Sequence, residues 1–335
     1  MSLGAKRPYL DSSNPNLTLK AREECELKTK ILIALSLSGI ISLISAAQEN
    51  TIDYFGQTPP GDSAVVFAPG IISLPHRIEQ SIVFSPDGKE CYFNEWAADY
   101  SYAKIYYTKY ENKIWTPPVE ASFSVGYFAS SPFFSADGKR LYFHYANYTG
   151  PEPYDIWMVQ RTSQGWSEPI HLPTPINSDY KDGCYSETKD GIVYFASNRP
   201  GGLDNKGDIW RTRQRTGQPL KVENLGATVN SSAWESGPCI APDESYLIFV
   251  SERPGGIGHS DLYITFKKDD SSWTAPVNME MSKAGINLKN AATGSAILSP
   301  DGRYLFFSRS GDIYWVSTKI IHDIKKEVFN TKNIK

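Results

Sequence analysis

Long stretches with apolar residues at helical spacing are few in this 335-residue sequence, so an all-β fold is expected. Cysteine is scarce: Cys25, Cys91, Cys184 and Cys239 form no CxxC pair and no Cys/His ligand spacing. That excludes a structural zinc site or a disulfide framework and leaves buried free thiols as the expectation. No GxSxG, HExxH or phosphate-cradling glycine loop occurs, which disfavours nucleophilic catalysis and zinc hydrolysis. Neither sign of charge dominates; 34 Lys and Arg face 37 Asp and Glu, a net charge of −3. Such a chain has no basic field for nucleic acid.

A membrane span is also lacking by length. The apolar run over 31–45, ILIALSLSGIISLIS, has 15 residues, whereas a span needs about 20. It follows Lys28 and Lys30 and precedes Ala46-Ala47-Gln48, which reads as a signal peptide cleaved near Ala47. The polar stretch from Met1 to Leu27 is longer than a normal n-region, so the alternatives are a true start near Leu27 or an uncleaved anchor. The expected location is periplasmic or secreted, or membrane-anchored facing the periplasm, with membrane contact only through 31–45 if uncleaved. No Cys follows the run, so a lipoprotein is not indicated.

What the sequence has is aromatics and turn formers: 20 Tyr, 15 Phe, 8 Trp, 25 Gly and 22 Pro, a mixture suited to many short strands. Five segments share one pattern. SIVFSPDGKE (81–90), SPFFSADGKR (131–140), CYSETKDGIV (184–193), PCIAPDESYL (238–247) and SAILSPDGRY (295–304) each read as a strand followed by a turn. Asp-Gly permits the positive φ of a two-residue hairpin turn. Second strands carry CYF, LYF, VYF, LIF and LFF; third strands read KIYYTK, DIWMVQ, DIWRTR, DLYITF and DIYWVS. Fourth strands follow in IWTPPVEAS (114–122), GWSEPIHLP (165–173), QPLKVENLG (218–226) and SWTAPVNME (272–280). The fifth repeat lacks one, and AVVFAPGIISLP (64–75) at the other end supplies it. A period of 50 to 58 residues with four strands predicts a β-propeller of five four-stranded blades closed by an N-terminal strand, which leaves no open sheet edge. The expected organisation is an extension with signal or anchor over 1–47, a linker over 48–63, the propeller over 64–322, and a polar tail over 323–335.

The SPDG turns, ASNRPGG…GDIW (196–210) and VSERPGG…SDLY (250–263) resemble the TolB-type WD40-like propeller repeats of bacterial exported proteins. The resemblance covers about 64–320. It implies a bacterial envelope protein with a protein or glycan partner, and it does not fix an activity.

In a propeller the first strands line the channel, and the fourth-to-first and second-to-third loops share one face. Eight residues before each turn Asp stand Glu79, Ala129, Asp182, Glu235 and Thr293. The carboxylates Glu79, Asp182 and Glu235 are thus the catalytic candidates if the protein is an enzyme, and they leave room for a divalent cation at the channel mouth. No cofactor is otherwise expected and no metal ligand set is assigned. Next along the axis come Ser81, Ser131, Cys184, Gly237 and Ser295, small as a crowded axis demands. Trp96, Tyr145, Arg199, Arg253 and Arg309 in the second-to-third loops are the ligand-binding candidates. Aromatic faces stack on sugars and Arg grips carboxylates bidentately. The bland alternative has Arg199 and Arg253 bracing blades against Asp208 and Asp261, with Asp155, Asp208, Asp261 and Asp312 as turn caps. Trp96 and the Tyr100-Ser101-Tyr102 group either mark a partner surface or pack under their loop. His144 and His259 have no Ser or Cys partner in a nucleophile motif; His144 with Arg199 and Arg253 would serve only a lyase. The leading expectation is a monomeric, non-catalytic binding propeller, and the alternative is a glycosidase or lyase.

Overall fold

The computed structural model describes residues 52–99, 101–146, 154–213 and 221–330. The apolar run 31–45, Cys25 and Tyr100 lie outside the described residues. Each repeat is an antiparallel sheet whose first strand is innermost. After β1 (Val65–Val66), the first blade holds β2 (Ile78–Phe84), β3 (Glu90–Trp96) and β4 (Ala103–Glu111), with β5 (Ile114–Trp115) and β6 (Val119–Glu120) outside β4. The second holds β7 (Phe128–Phe134), β8 (Arg140–Ala146) and β9 (Asp155–Thr162), edged by β10 (Gly165–Trp166) and β11 (Ile170–His171). Next come β12 (Asp182–Glu187), β13 (Ile192–Ser197), β14 (Asp208–Arg213) and β15 (Val222–Asn224), then β16 (Glu235–Ile240), β17 (Tyr246–Ser251), β18 (Asp261–Phe266) and β19 (Val277–Asn278). In the last blade β20 (Thr293–Leu298), β21 (Tyr304–Arg309) and β22 (Asp312–Ser317) are completed by β1, with Val65 opposite Trp315. The fold is the expected five-bladed propeller closed by its N-terminal strand. Outer strands are short because Pro117, Pro118, Pro169 and Pro276 remove ladder donors, which only an edge tolerates.

Aromatic strand centres fill the gaps between sheets, and five buried clusters, one per blade interface, form the core. Each third strand is also pegged by a buried polar side chain. Asn177 bonds both the N–H and the C=O of Ile156, Asn230 does so at Ile209, and Asn287 at Leu262.

Three expectations are corrected. The Asp-Gly turns are not two-residue turns. Ser85 N–H donates to Glu90 O and Gly88 N–H to Ser85 O, so Pro86–Lys89 lie between the strands. Positive φ is still required, at 68° for Gly88 and even at 61° for Glu244. The stretch expected as a linker begins in the core: Ile52 and Phe55 pack against it, and Tyr54 is buried edge-on against Phe84 at 5.2 Å and Tyr304 at 5.3 Å. After the last strand stands not an irregular tail but α1 (Lys319–Asn330), whose Ile320, Ile321 and Ile324 cover the outer end of the fourth and fifth blades. Its polar face explains why composition alone suggested a tail.

Candidate functional site

Five strands meeting at one axis leave room only for small side chains. Ser81, Ser131, Cys184, Gly237 and Ser295 line a waist of about 40 Å³. In all five blades the first strand bulges at or just before this row, and in four of them Ser131, Cys184, Gly237 and Ser295 adopt left-handed φ of 54°, 56°, 56° and 48°. The bulge widens the strand above it, and the channel opens on the loop face into a cavity of about 500 Å³. Trp96, Tyr154 and Trp234 stand in its wall, together with Ser131, Ser236, Ser295, Ser308 and Ser310 and with Gln80, His144 and Thr293. Tyr154 and Trp234 are 36% and 37% exposed. Trp96 stands edge-on to Phe128 at 4.9 Å, and Tyr154 lies 5.0 Å from the same ring, so Phe128 joins these two aromatics. The one carboxylate in that wall, Glu79, is fully buried.

The three carboxylates aligned from the sequence do not converge: only Glu79 lines the mouth, and each is buried beside an arginine. Asp182 meets Arg199 at 2.6 Å and accepts from Ser178 N–H and Oγ, both at 2.7 Å. Glu235 meets Arg253 at 3.2 Å and accepts from Ser231 N–H at 2.9 Å, Ser231 Oγ at 2.5 Å and Ser251 Oγ at 2.8 Å. Glu79 meets Arg77 at 2.9 Å. The arginines are braces rather than ligand grips. Arg199 donates to Pro175 O and Ile176 O, Arg253 to Val229 O, and Arg309 to Gly285 O. Their planes lie over Trp210, Tyr263 and Tyr314. Asp208 and Asp261, the expected partners of Arg199 and Arg253, instead accept from loop N–H groups and from Asn224 and Asn278. Tyr145 is buried and stacked on Tyr127 at 4.6 Å, away from the cavity. Of the ligand-binding candidates, only Trp96 reaches the mouth.

Glu79 differs from its two counterparts. Burial pushes its carboxyl up to about 7 despite the Arg77 guanidinium, and its Oε2 has no partner. A folded-state value above the unfolded one means the folded protein holds this proton longer. Stability from this group is therefore complete below about pH 4.5 and lost as pH rises through 7, by up to about 3 kcal/mol. Denaturant titrations at pH 5 and pH 8 should show Glu79→Gln removing most of that difference. An unchanged difference would place the titration elsewhere.

The feature the sequence reading missed is Cys184. Cys91 and Cys239 are buried, as expected of free thiols, but Cys184 is partly exposed and lines both waist and mouth. His144 from β8 lies against it, Nε2 accepting from Cys184 N–H, and Ser236 Oγ is 3.5 Å from the sulfur. Burial alone would raise the thiol; His144, Ser236 Oγ and Gly237 N–H outweigh it and bring it down to about 7. Cys184 thus has a His neighbour on one side and a Ser neighbour on the other, assembled across three blades rather than within a motif. The signal was present only in the axial alignment, where Cys184 replaces Ser.

No family model and no curated protein matches the chain. Among the described residues no helix is long and apolar enough to cross a membrane. Solved structures similar to it include TolB from Acinetobacter baumannii, at 15% identity and TM-score 0.44, covering 71% of this chain and 54% of that one. The chain thus spans about half the length of that protein. A putative TolB from Agrobacterium tumefaciens is 17% identical with TM-score 0.45, covering 69% of each chain. An alpha-L-arabinofuranosidase from Lactobacillus brevis is 16% identical with TM-score 0.47, covering 72% of this chain and 86% of that one. TolB proteins thus stand among the solved structures that resemble the chain, as its SPDG turns suggested, while the five blades rest on its own sheets.

Proposed function

We propose that the chain is an exported, monomeric, non-catalytic binding propeller that takes a neutral glycan in the loop-face mouth of its channel. The observation that carries this is the mouth itself. A cavity of about 500 Å³ is within the range of small-ligand sites and has aromatic faces and a hydroxyl-rich lining. Among the described residues the cavity lining holds no lysine or arginine, and Lys181 Nζ comes only to 5.5 Å from the Tyr154 ring, which favours a neutral ring-bearing ligand over an acidic one. Sugar rings present C–H faces to Trp and Tyr and hydroxyls to Ser, Thr and Gln. The non-catalytic reading is supported by the candidate carboxylates, since a glycosidase needs a facing acid and base, whereas Asp182 and Glu235 are each locked to an arginine. Export rests on the segment 31–45, and the envelope location follows from it.

The test is tryptophan fluorescence and calorimetric titration of the full chain against neutral and acidic oligosaccharides. A neutral sugar is expected to bind, and Trp234→Ala or Trp96→Ala to weaken it about tenfold or more, as aromatic truncation does at binding hot spots. Binding only of acidic sugars, unaltered affinity in both variants, or no binding across the panel would overturn the reading.

A further inference from the structure

We infer that Cys184 is a modifiable thiol at the floor of the channel mouth, which exchanges with low-molecular-weight disulfides using His144 as its proton acceptor. This holds whether or not the mouth above it takes a glycan.

Packing does not require a cysteine here. The same axial position is Ser131 in the second blade and Ser295 in the fifth, with the same left-handed backbone. What is particular to the third blade is the surrounding set. The thiol shares a hydrogen bond with the His144 imidazole, lies near Ser236 Oγ, and accepts from Gly237 N–H, so a sulfur anion would find three hydrogen-bonding partners. Ser130, opposite His144 in the β7–β8 register, is fully buried with its hydroxyl unpartnered, and it lines the same cavity. Among the described residues no carboxylate forms an ion pair with the imidazole; Asp182, two residues before Cys184, is tied to Arg199. The cavity gives a small disulfide a path to the sulfur; Cys91 is fully buried, and Cys239, 4% exposed beside a smaller cavity, has its thiol pushed up to about 12 by burial.

The exchange is balanced within these groups. The thiol proton passes to His144 Nε2, which gives up the Cys184 N–H as it takes it, and the Cys184 thiolate attacks one sulfur of the incoming disulfide. That S–S bond breaks as the new one forms, and the leaving thiolate regains the proton from the imidazolium. The Cys184 sulfur is oxidised, the departing thiol is reduced, and the incoming disulfide is the oxidant.

His144 also has a structural duty, accepting the Cys184 N–H, and one substitution separates the two roles. Asn94 holds the corresponding place in the first blade, where its Oδ1 accepts from Ser131 N–H at 3.4 Å. His144→Asn therefore keeps the backbone acceptor and removes the base. The native full chain is incubated with oxidised glutathione at pH 7 and the adduct mapped by peptide mass spectrometry; iodoacetamide then gives alkylation rate against pH. Cys184 is expected to carry glutathione while Cys91 and Cys239 do not, with alkylation half-maximal near pH 7. His144→Asn is expected to move that midpoint toward 9 and slow exchange at pH 7 about fivefold, because the stronger nucleophile it creates offsets part of the lost thiolate. Cys184→Ser, already the residue of two other blades, should fold and carry no adduct in the channel. An unmodified Cys184, or a midpoint near 9 that His144→Asn leaves in place, overturns the inference.

Discussion

Glu235→Ala is expected to destabilise the protein by about 3–5 kcal/mol, the usual result of removing one partner from a buried ion pair. The carboxylate is fully buried and accepts four hydrogen bonds, from Arg253, Ser251 and both donors of Ser231. Alanine leaves a guanidinium that is 16% exposed without its counter-charge and frees three neutral donors. For a domain of this size the loss corresponds to a midpoint about 10 °C lower in a thermal scan. The pair is not worth that much in itself, since burying two charges costs nearly what their attraction returns. Glu235→Leu combined with Arg253→Met is therefore expected to recover most of the loss. The methionine would set a thioether over Phe249 and Tyr263, where the Arg253 guanidinium now lies. A single-variant loss under 1 kcal/mol would mean that water reaches this carboxylate, and the case against its being a mouth residue would fail.

That contrast explains how far the site was legible. Blade number, strand identity and closure were readable because the repeat prints each element five times, at one spacing and with a turn Asp to fix the register. The axial row of small residues followed from that register and lines the channel as expected. The same alignment found Asp182 and Glu235 in equivalent places but gave them the wrong role. A charge that recurs with the repeat is recurring architecture: Arg199 and Arg253 stand two residues past Ser197 and Ser251, the cross-strand partners of Asp182 and Glu235. Asp208 and Asp261 face the same serines from the other side, so the strand pattern left two carboxylates for each arginine. Only the fourth-to-first loop, folded over Arg199 by Pro175 and Ile176, decides between them. Contacts between blades were the least legible. His144 and Cys184 are 40 residues apart and belong to different sheets, and no local period encodes which residue of one blade faces its neighbour. Trp234 was passed over because it stands in a fourth-to-first loop, where the alignment supplied no repeating counterpart.

Closure of the ring concentrates on a single side chain, and Phe67→Ala is expected to cost about 3–5 kcal/mol. The closing strand pairs only at Val65 and Val66, so its ladder contributes few hydrogen bonds. What seats it is the next residue. Phe67 is fully buried, donates its N–H to Ile313 O, and meets Phe55, Phe306 and Trp315 edge-on at 5.6, 5.0 and 5.1 Å. These rings come from the N-terminal segment and the last blade, and Phe84 of the first blade lies 6.1 Å away. Removing the Phe67 ring would leave a cavity where the two ends of the propeller meet. Val65, 41% exposed on the same strand, should tolerate alanine with a change under about 0.5 kcal/mol. Hydrogen exchange locates the effect: in Phe67→Ala, protection should fall first in β22 and β2 on either side of the closure, and last in β13 and β17. Uniform loss across all five blades, or equal cost for Val65→Ala, would show that the ring opens elsewhere. A local loss would make the closure the weakest interface, because there the first and last strands of the propeller meet with no covalent connection between them.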